Sequence, residues 1–64
     1  MPPATVVAML RGKFRLMKAS LNERTRRQWA ATEALTLGHG GVTAVAAASS
    51  LSRTVIHAGI RALR

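Results

Sequence analysis

Two short stretches of helical spacing, separated by a tight turn, occupy residues 42–63 and constrain the fold more than any other feature of the chain. Helices this short gain little stability from their own propensity, so both must be held by packing. Two short helices joined by a turn of a few residues form a helix-turn-helix arrangement, in which they cross at a fixed angle. The sequence therefore predicts a helix-turn-helix in its last third.

The first of these two helices is predicted to bury one face, which carries Val42, Val45, Ala46 and Ser49. A small residue such as Ala46 lets the two helices approach each other, whereas a bulky one would force them apart. Ser50 stands in the turn where a helix-turn-helix often has glycine, and a positive φ there would cost a serine about 1 kcal/mol. Leu51 ends the turn with a side chain of the buried type, and Ser52 is a favourable N-cap for the second helix.

The second helix has a predicted buried stripe at Ile56, Ile60 and Leu63, which recur at i, i+4 and i+7. Its opposite face is predicted to be open, and the second helix of such a pair is the one that enters the major groove of DNA. The candidate DNA-binding residues belong to this open face, with the N-cap serine added as a phosphate contact: Ser52, Arg53, Thr54, His57, Ala58 and Arg61.

The chemistry of these side chains suits DNA recognition without being diagnostic of it. Arg53 or Arg61 can donate two hydrogen bonds to guanine, and Thr54 can bond a base edge or a phosphate. The methyl group of Ala58 can contact the methyl group of thymine, and His57 can donate to a phosphate. The alternative interpretation is that this face is only the solvated side of a helical hairpin.

An N-terminal helix is predicted from five large apolar residues spaced three and four apart, namely Val7, Leu10, Phe14, Met17 and Leu21. Pro2 and Pro3 suit the start of this helix, whereas Gly12 inside it is unfavourable. We assign residues 1–20 to this basic amphipathic helix. Packing of its apolar stripe on the rest of the domain, or on a second copy, is favoured over a helix that lies on a membrane surface.

A further helix is predicted from Glu23 to Leu37. The Asn22 side chain can accept a first-turn amide, and the glycine-rich segment 38–41 ends the helix. Trp29 is predicted to anchor the contact with the N-terminal helix rather than to stack on bases. Three arginines are predicted to form a solvated face, with contact to flanking phosphates as the alternative: Arg24, Arg26 and Arg27.

The charge balance points to polyanionic partners. Ten Lys and Arg residues against two acids give a formal net charge of +8 in 64 residues. Release of counterions from phosphates favours nucleic acid as the partner, with anionic membrane as the second candidate. No stretch of the sequence is apolar for long enough to suggest a bilayer span.

Residues for metal binding and for catalysis are scarce. Cysteine is absent and the two histidines are isolated, so we expect no metal and no cofactor. Glu23 and Glu33 are the only acids, and they lie ten residues apart on one predicted helix, too far apart to share a metal. We therefore expect a binding module without enzymatic activity.

The segment 21–63 begins with the run LNERTRRQWAATEALTLGHGG and continues without a gap into the predicted helix-turn-helix. It resembles the N-terminal DNA-binding region of ISAzo-type insertion-sequence transposases, whereas residues 1–20 resemble that region only loosely. The resemblance implies a helix-turn-helix that binds transposon-end DNA, followed in full-length members by a carboxylate-triad catalytic domain. It thus implies a transposase truncated before that domain.

Together these features predict an all-α fold of about four helices, with an N-terminal helix in residues 1–20 and a helix-turn-helix DNA-binding domain in residues 21–64. The expected function is sequence-directed or non-specific binding of double-stranded DNA in the bacterial cytoplasm, at the nucleoid. The alternatives left open are a free-standing small transcriptional regulator and a cationic amphipathic peptide that binds anionic membrane or self-associates. Formation of a homodimer is also left open.

Overall fold

The computed structural model describes residues 3–64, and these contain four α-helices and one short 3-10 turn. The helices are α1 (Ala4–Met17), α2 (Glu23–Leu37), α3 (Gly41–Ser49) and α4 (Arg53–Leu63), and the 3-10 turn is Lys18–Ser20. Pro3 is the N-cap of α1, whereas Pro2, predicted at the helix start, lies outside the described residues. Because residues 3–64 contain four helices and no strand, the predicted all-α class is confirmed.

The helix α2 begins and ends where the sequence predicts. The Asn22 side chain accepts a hydrogen bond from the Thr25 amide at 2.9 Å, and the Thr25 hydroxyl accepts one from the Asn22 amide at 2.8 Å. This reciprocal capping box satisfies two amides that the helix start would otherwise leave open. At the other end Gly38 has a φ of 73°, a conformation that glycine adopts without steric penalty.

The helix α1 is shorter than its apolar spacing predicts. It ends at Met17, and Leu21 lies beyond the 3-10 turn in extended backbone. Leu10 and Phe14 are buried as predicted, but Met17 is 42% exposed. The rest of the domain therefore covers the predicted stripe only in part, and it leaves Met17, the last residue of α1, largely uncovered.

The core is small and consists largely of alanine. Its three largest fully buried side chains are those of Leu10, Val45 and Ile56. The buried alanines are Ala30, Ala31, Ala34, Ala44 and Ala48. Because a methyl group takes little space, the helices can approach at the short end of the usual interaxial distances. The helix α1 packs chiefly on α3, and α2 packs on both α3 and α4.

Gly41 lies directly against the backbone of α2. A β-carbon at Gly41 would clash with the carbonyl oxygen of Ala34 on α2, so only glycine fits at this position. Gly41 is also the first residue of α3, which starts one residue earlier than predicted. The segment 38–41 thus both ends α2 and supplies the first contact of α3.

The core connects the two segments into which the sequence analysis divides the chain. Leu10, from residues 1–20, lies in the same buried cluster as Val45 and Ile56, from residues 21–64. The surface of α1 is therefore held in a fixed position relative to the α3–α4 pair.

Candidate nucleic-acid interface

The connection between α3 and α4 consists of Ser50, Leu51 and Ser52. Ser50 has a φ of 64° and a ψ of 8°, so the left-handed conformation that strains a serine by about 1 kcal/mol is present. The buried hydroxyl of Ser49 holds the turn, since it donates to the Val45 carbonyl at 2.7 Å and accepts from the Leu51 amide at 3.3 Å. Hydrogen bonds, rather than an intrinsic backbone preference, therefore stabilise this turn.

The start of α4 and its contact with α2 fix the position of this helix. The Ser52 hydroxyl accepts a hydrogen bond from the Val55 amide at 3.1 Å, which is the N-cap predicted from the sequence. Ile56 is fully buried. Gly59 is buried as well, and a β-carbon there would lie 2.8 Å from the carbonyl oxygen of Arg27. The helix α4 therefore lies directly against the backbone of α2.

The predicted apolar stripe of α4 is only partly buried. Ile60 is half-buried, and Leu63, in the last turn of the helix, is 46% exposed. The prediction that Leu63 belongs to the buried stripe is therefore wrong. The contact with α2 is made instead at Gly59, which hydrophobic spacing could not reveal because glycine has no side chain.

The opposite face of α4 is open, and its exposed side chains are Arg53, Thr54, His57 and Arg61. Positions 54, 57 and 61 fall on one side of a helix with 3.6 residues per turn, and Arg53 lies at its N-terminal edge. Within residues 3–64 none of these four side chains forms a hydrogen bond or an ion pair with another part of the protein. Their donors and acceptors are free for a partner.

The two remaining candidate residues differ from this group. Ser52 is exposed, and its hydroxyl uses an acceptor in the N-cap, so its proton is free to donate to a phosphate. Ala58, predicted at the centre of the open face, is half-buried. Only part of its methyl group can therefore meet a base.

Within residues 3–64, neither acidic residue forms an ion pair with a side chain of α4. Glu33, on α2, pairs with Lys13 on α1 at 3.0 Å between carboxylate oxygen and ammonium nitrogen. Glu23 is at the first position of α2, where a carboxylate complements the positive end of the helix dipole. The open face of α4 carries two arginines and no carboxylate, so its charge is uncompensated by its own helix.

The arginines of α2 have three different environments. Arg24 is exposed, as predicted for a solvated face. Arg26 is half-buried, and its guanidinium donates to the Lys18 carbonyl at 3.2 Å, which ties α2 to the 3-10 turn. Arg27 is half-buried beside Gly59. The prediction of a solvated face therefore holds for one of the three arginines, because the other two contact neighbouring elements.

Trp29 contacts the N-terminal helix, as predicted. Its ring centroid lies 5.3 Å from that of Phe14, with the two planes inclined by 37°. Trp29 is half-buried against the core cluster. This tilted aromatic pair anchors α1 to α2.

The prediction of a basic helix in residues 1–20 named no binding residues there, and the structure shows a second cationic surface on α1 and the 3-10 turn. Arg11, Arg15 and Lys18 are all exposed and line one groove beside the end of α3. Their spacing of i, i+4 and i+7 is the signal that could have revealed it, since it places three cations on one helical side.

Among the described residues, no three His, Asp or Glu side chains come close enough together to hold a metal ion. None of the described helices combines the length and the apolar character needed to cross a lipid bilayer.

Comparisons with known proteins do not place the chain in a family. No protein-family model, no curated protein and no solved structure matches it.

Proposed function

We propose that this chain is a double-stranded DNA-binding module that presents the open face of α4 to the major groove. The observation that carries the proposal is the contrast between the two sides of α4. One side buries Ile56 and lies against α2 at Gly59, and the other exposes Arg53, Thr54 and Arg61 without an internal partner. A rigidly held helix with an open polar face is the element that fits a major groove.

The chemistry of the face divides into base contacts and phosphate contacts. Each arginine of the open face can bind guanine through two parallel hydrogen bonds. Thr54 can bond either a base edge or a phosphate, whereas Ser52 and His57 suit phosphates. The face thus has a few donors for reading bases among several groups for positioning the backbone.

Discrimination between sequences is expected to be weak relative to affinity. Val55 and Ala58 offer no hydrogen bonds, and both are half-buried. The net charge of +8 provides a salt-dependent affinity for any duplex. We therefore expect a ratio of specific to non-specific binding near the lower end of the usual range, about 10³.

The sequence resemblance to ISAzo-type insertion-sequence transposases extends this proposal to the kind of DNA. In that case α4 reads the end of a transposable element, and the module acts without catalysis of its own. Selection of duplexes from a random pool tests this extension, because an end-binding module enriches one defined motif. Equal recovery of all sequences would leave non-specific duplex binding and remove the transposon-end assignment.

The decisive experiment compares arginines inside and outside the open face. Arg53→Ala and Arg61→Ala should each weaken duplex binding by about 1–3 kcal/mol, the range for a bidentate base contact. Arg24→Ala is the matched control, because Arg24 is an exposed arginine on α2 and its removal changes the net charge by the same amount. Affinities of both face variants equal to that of the control, measured by fluorescence anisotropy, would refute the assignment of α4.

Binding to anionic vesicles serves as the opposing measurement. Leu10 and Phe14 of the N-terminal apolar stripe are buried in the core, so the folded chain has little of that stripe to insert into a lipid surface. Binding to vesicles without binding to duplex would favour the cationic-peptide alternative over the proposed function.

A further inference from the structure

A groove of about 330 Å³ lies between the second half of α1 and the end of α3. Its lining includes residues of α1, the 3-10 turn, α3 and the turn before α4, among them Arg11, Arg15, Lys18, Ala47, Ser49 and Ser50. We call it the α1–α3 groove. It contains three cationic side chains, no carboxylate and the exposed serine Ser50, a composition that suits a phosphate group.

Only one of the three cations has a bond within the protein. Arg11 donates from its guanidinium to the Ala47 carbonyl at 3.4 Å, which uses one of its five donors. Arg15 and Lys18 make no side-chain hydrogen bond and no ion pair within residues 3–64. Capping of the α3 carbonyls therefore accounts for Arg11 but not for the other two cations.

The acids of the chain do not neutralise the groove. Glu33 pairs with Lys13, which is not among the groove residues, and Glu23 opens α2. Both acids of the sequence are thus accounted for outside the groove. Clustered cations repel one another and destabilise the compact state, so an uncompensated cluster is relieved when a polyanion binds.

The α1–α3 groove lies next to the start of α4. Ser50 lines the groove, and Arg53, the first residue of α4, follows three residues later. Three residues span at most roughly 11 Å even when fully extended. A duplex carries one negative charge per about 1.7 Å of its axis, so a duplex seated on α4 has several phosphates within this distance.

We propose that the α1–α3 groove is a second binding site, which holds a backbone phosphodiester beside the DNA segment contacted by α4. This inference rests on the proposed function, since it assigns the groove and α4 to the same duplex. It gives residues 11–18 a positioning role that carries no sequence information, because phosphate contacts fix register but do not distinguish bases.

The test removes the two cations of the groove that have no internal bond. Arg15→Gln with Lys18→Gln should make the negative slope of log affinity against log salt concentration shallower by about 1 to 2. Roughly 0.9 of slope is lost for each phosphate contact removed. The same loss is expected on every duplex sequence. The charge-retaining pair Arg15→Lys with Lys18→Arg should restore the slope, which separates charge from a change in fold.

The matched control for either single groove variant, Arg15→Gln or Lys18→Gln, is Arg24→Gln, which removes one exposed arginine outside the groove and changes the net charge equally. Its slope should change less than that of either groove variant. Amide signals of Ser49 and Ser50 in the unaltered chain, followed by NMR as duplex is added, give a readout that does not depend on any variant folding. They should shift on binding.

The outcomes separate the two proposals. Equal slopes in groove variant and control, with Arg53→Ala still weakening binding, would overturn the groove and leave the proposed function intact. A second outcome is a larger change of slope in the groove variant, together with duplex affinities of Arg53→Ala and Arg61→Ala equal to that of Arg24→Ala. It would support the phosphodiester site and reject the contact of α4 with DNA. Vesicles of phosphatidylcholine and phosphatidylserine are the third arm, and groove-dependent binding to these without duplex binding would overturn the assignment to DNA.

Discussion

The two ends of α3 both use left-handed backbone, but they are held in different ways. At the N-terminal end Gly40 has a φ of 80° without a side chain to strain, and Gly41 allows direct contact with Ala34. At the C-terminal end Ser50 has a φ of 64° with a side chain present, and the hydroxyl of Ser49 bonds both sides of the turn. The first end depends on missing β-carbons, the second on hydrogen bonds.

The two ends of α3 also adjoin different parts of the molecule. The end that depends on glycine lies where α3 meets α2. The strained serine lies in the turn that leads into α4, the helix to which we assign DNA contact. Strain of this kind persists only where surrounding bonds impose it, and it concentrates near functional sites. Three substitutions test how far the contrast holds, from the largest expected effect to the smallest.

Gly41→Ala should break the glycine-dependent end. The added β-carbon meets the backbone carbonyl of Ala34, which cannot move away as a flexible side chain could, so we expect a loss of about 3 kcal/mol in the free energy of unfolding. Thermal unfolding followed by circular dichroism measures it. Gly12→Ala is the control, since Gly12 is helical with nothing near its β-position, and that change should stabilise by about 0.5–1 kcal/mol. Equal effects of the two substitutions would contradict the close contact.

Ser49→Ala should weaken the hydrogen-bonded end. It removes the acceptor of the Leu51 amide and the donor to Val45, so the free energy of unfolding should fall by about 1 kcal/mol. In a domain of this size that corresponds to a drop of roughly 4–8 °C in Tm. Ser20→Ala, at an exposed serine of the 3-10 turn, should leave Tm unchanged within about 1 °C on the same scale. A Tm of Ser49→Ala equal to that of the control would show that the turn does not need the hydroxyl.

Ser50→Gly should have the smallest effect and the opposite sign. It relieves the left-handed strain of about 1 kcal/mol, and the greater freedom of glycine in the unfolded chain offsets about half of this gain. The free energy of unfolding should rise by about 0.5 kcal/mol. Ser50→Ala keeps a β-carbon in the same backbone region, so it should bring no such gain. Destabilisation by Ser50→Gly in chemical denaturation would mean that the serine side chain itself supports the turn.

Local signals explain what the sequence predicts well. The bounds of α2 follow from the capping ability of Asn22 and the glycine after Leu37, and the start of α4 follows from Ser52. These features depend on a few neighbouring residues, so the sequence alone contains them. The open face of α4 is likewise predicted from spacing, as the complement of the side that holds Ile56.

Features that depend on which helices pack together could not be predicted from such local signals. Ala44 and Ala48 are buried because α3 packs on both α1 and α2, and alanine has too little hydrophobicity to signal this in a periodic pattern. Gly59 makes the contact with α2 without any side chain. The α1–α3 groove joins residues more than thirty positions apart, Arg11 and Ala47, so no local pattern could delimit it.

The alternating order of contacts, in which α1 packs on α3 and α2 on α4, has a consequence for synthesis of the chain on the ribosome. Leu10 cannot be covered until Val45 has been made, which at ordinary rates of translation takes roughly 2–7 s. Until then an apolar surface with three nearby cations remains open to anything in the vicinity, including ribosomal RNA. Under the proposed function, the folding of this chain therefore begins in competition with nucleic acid, the class of polymer to which we assign the open face of α4.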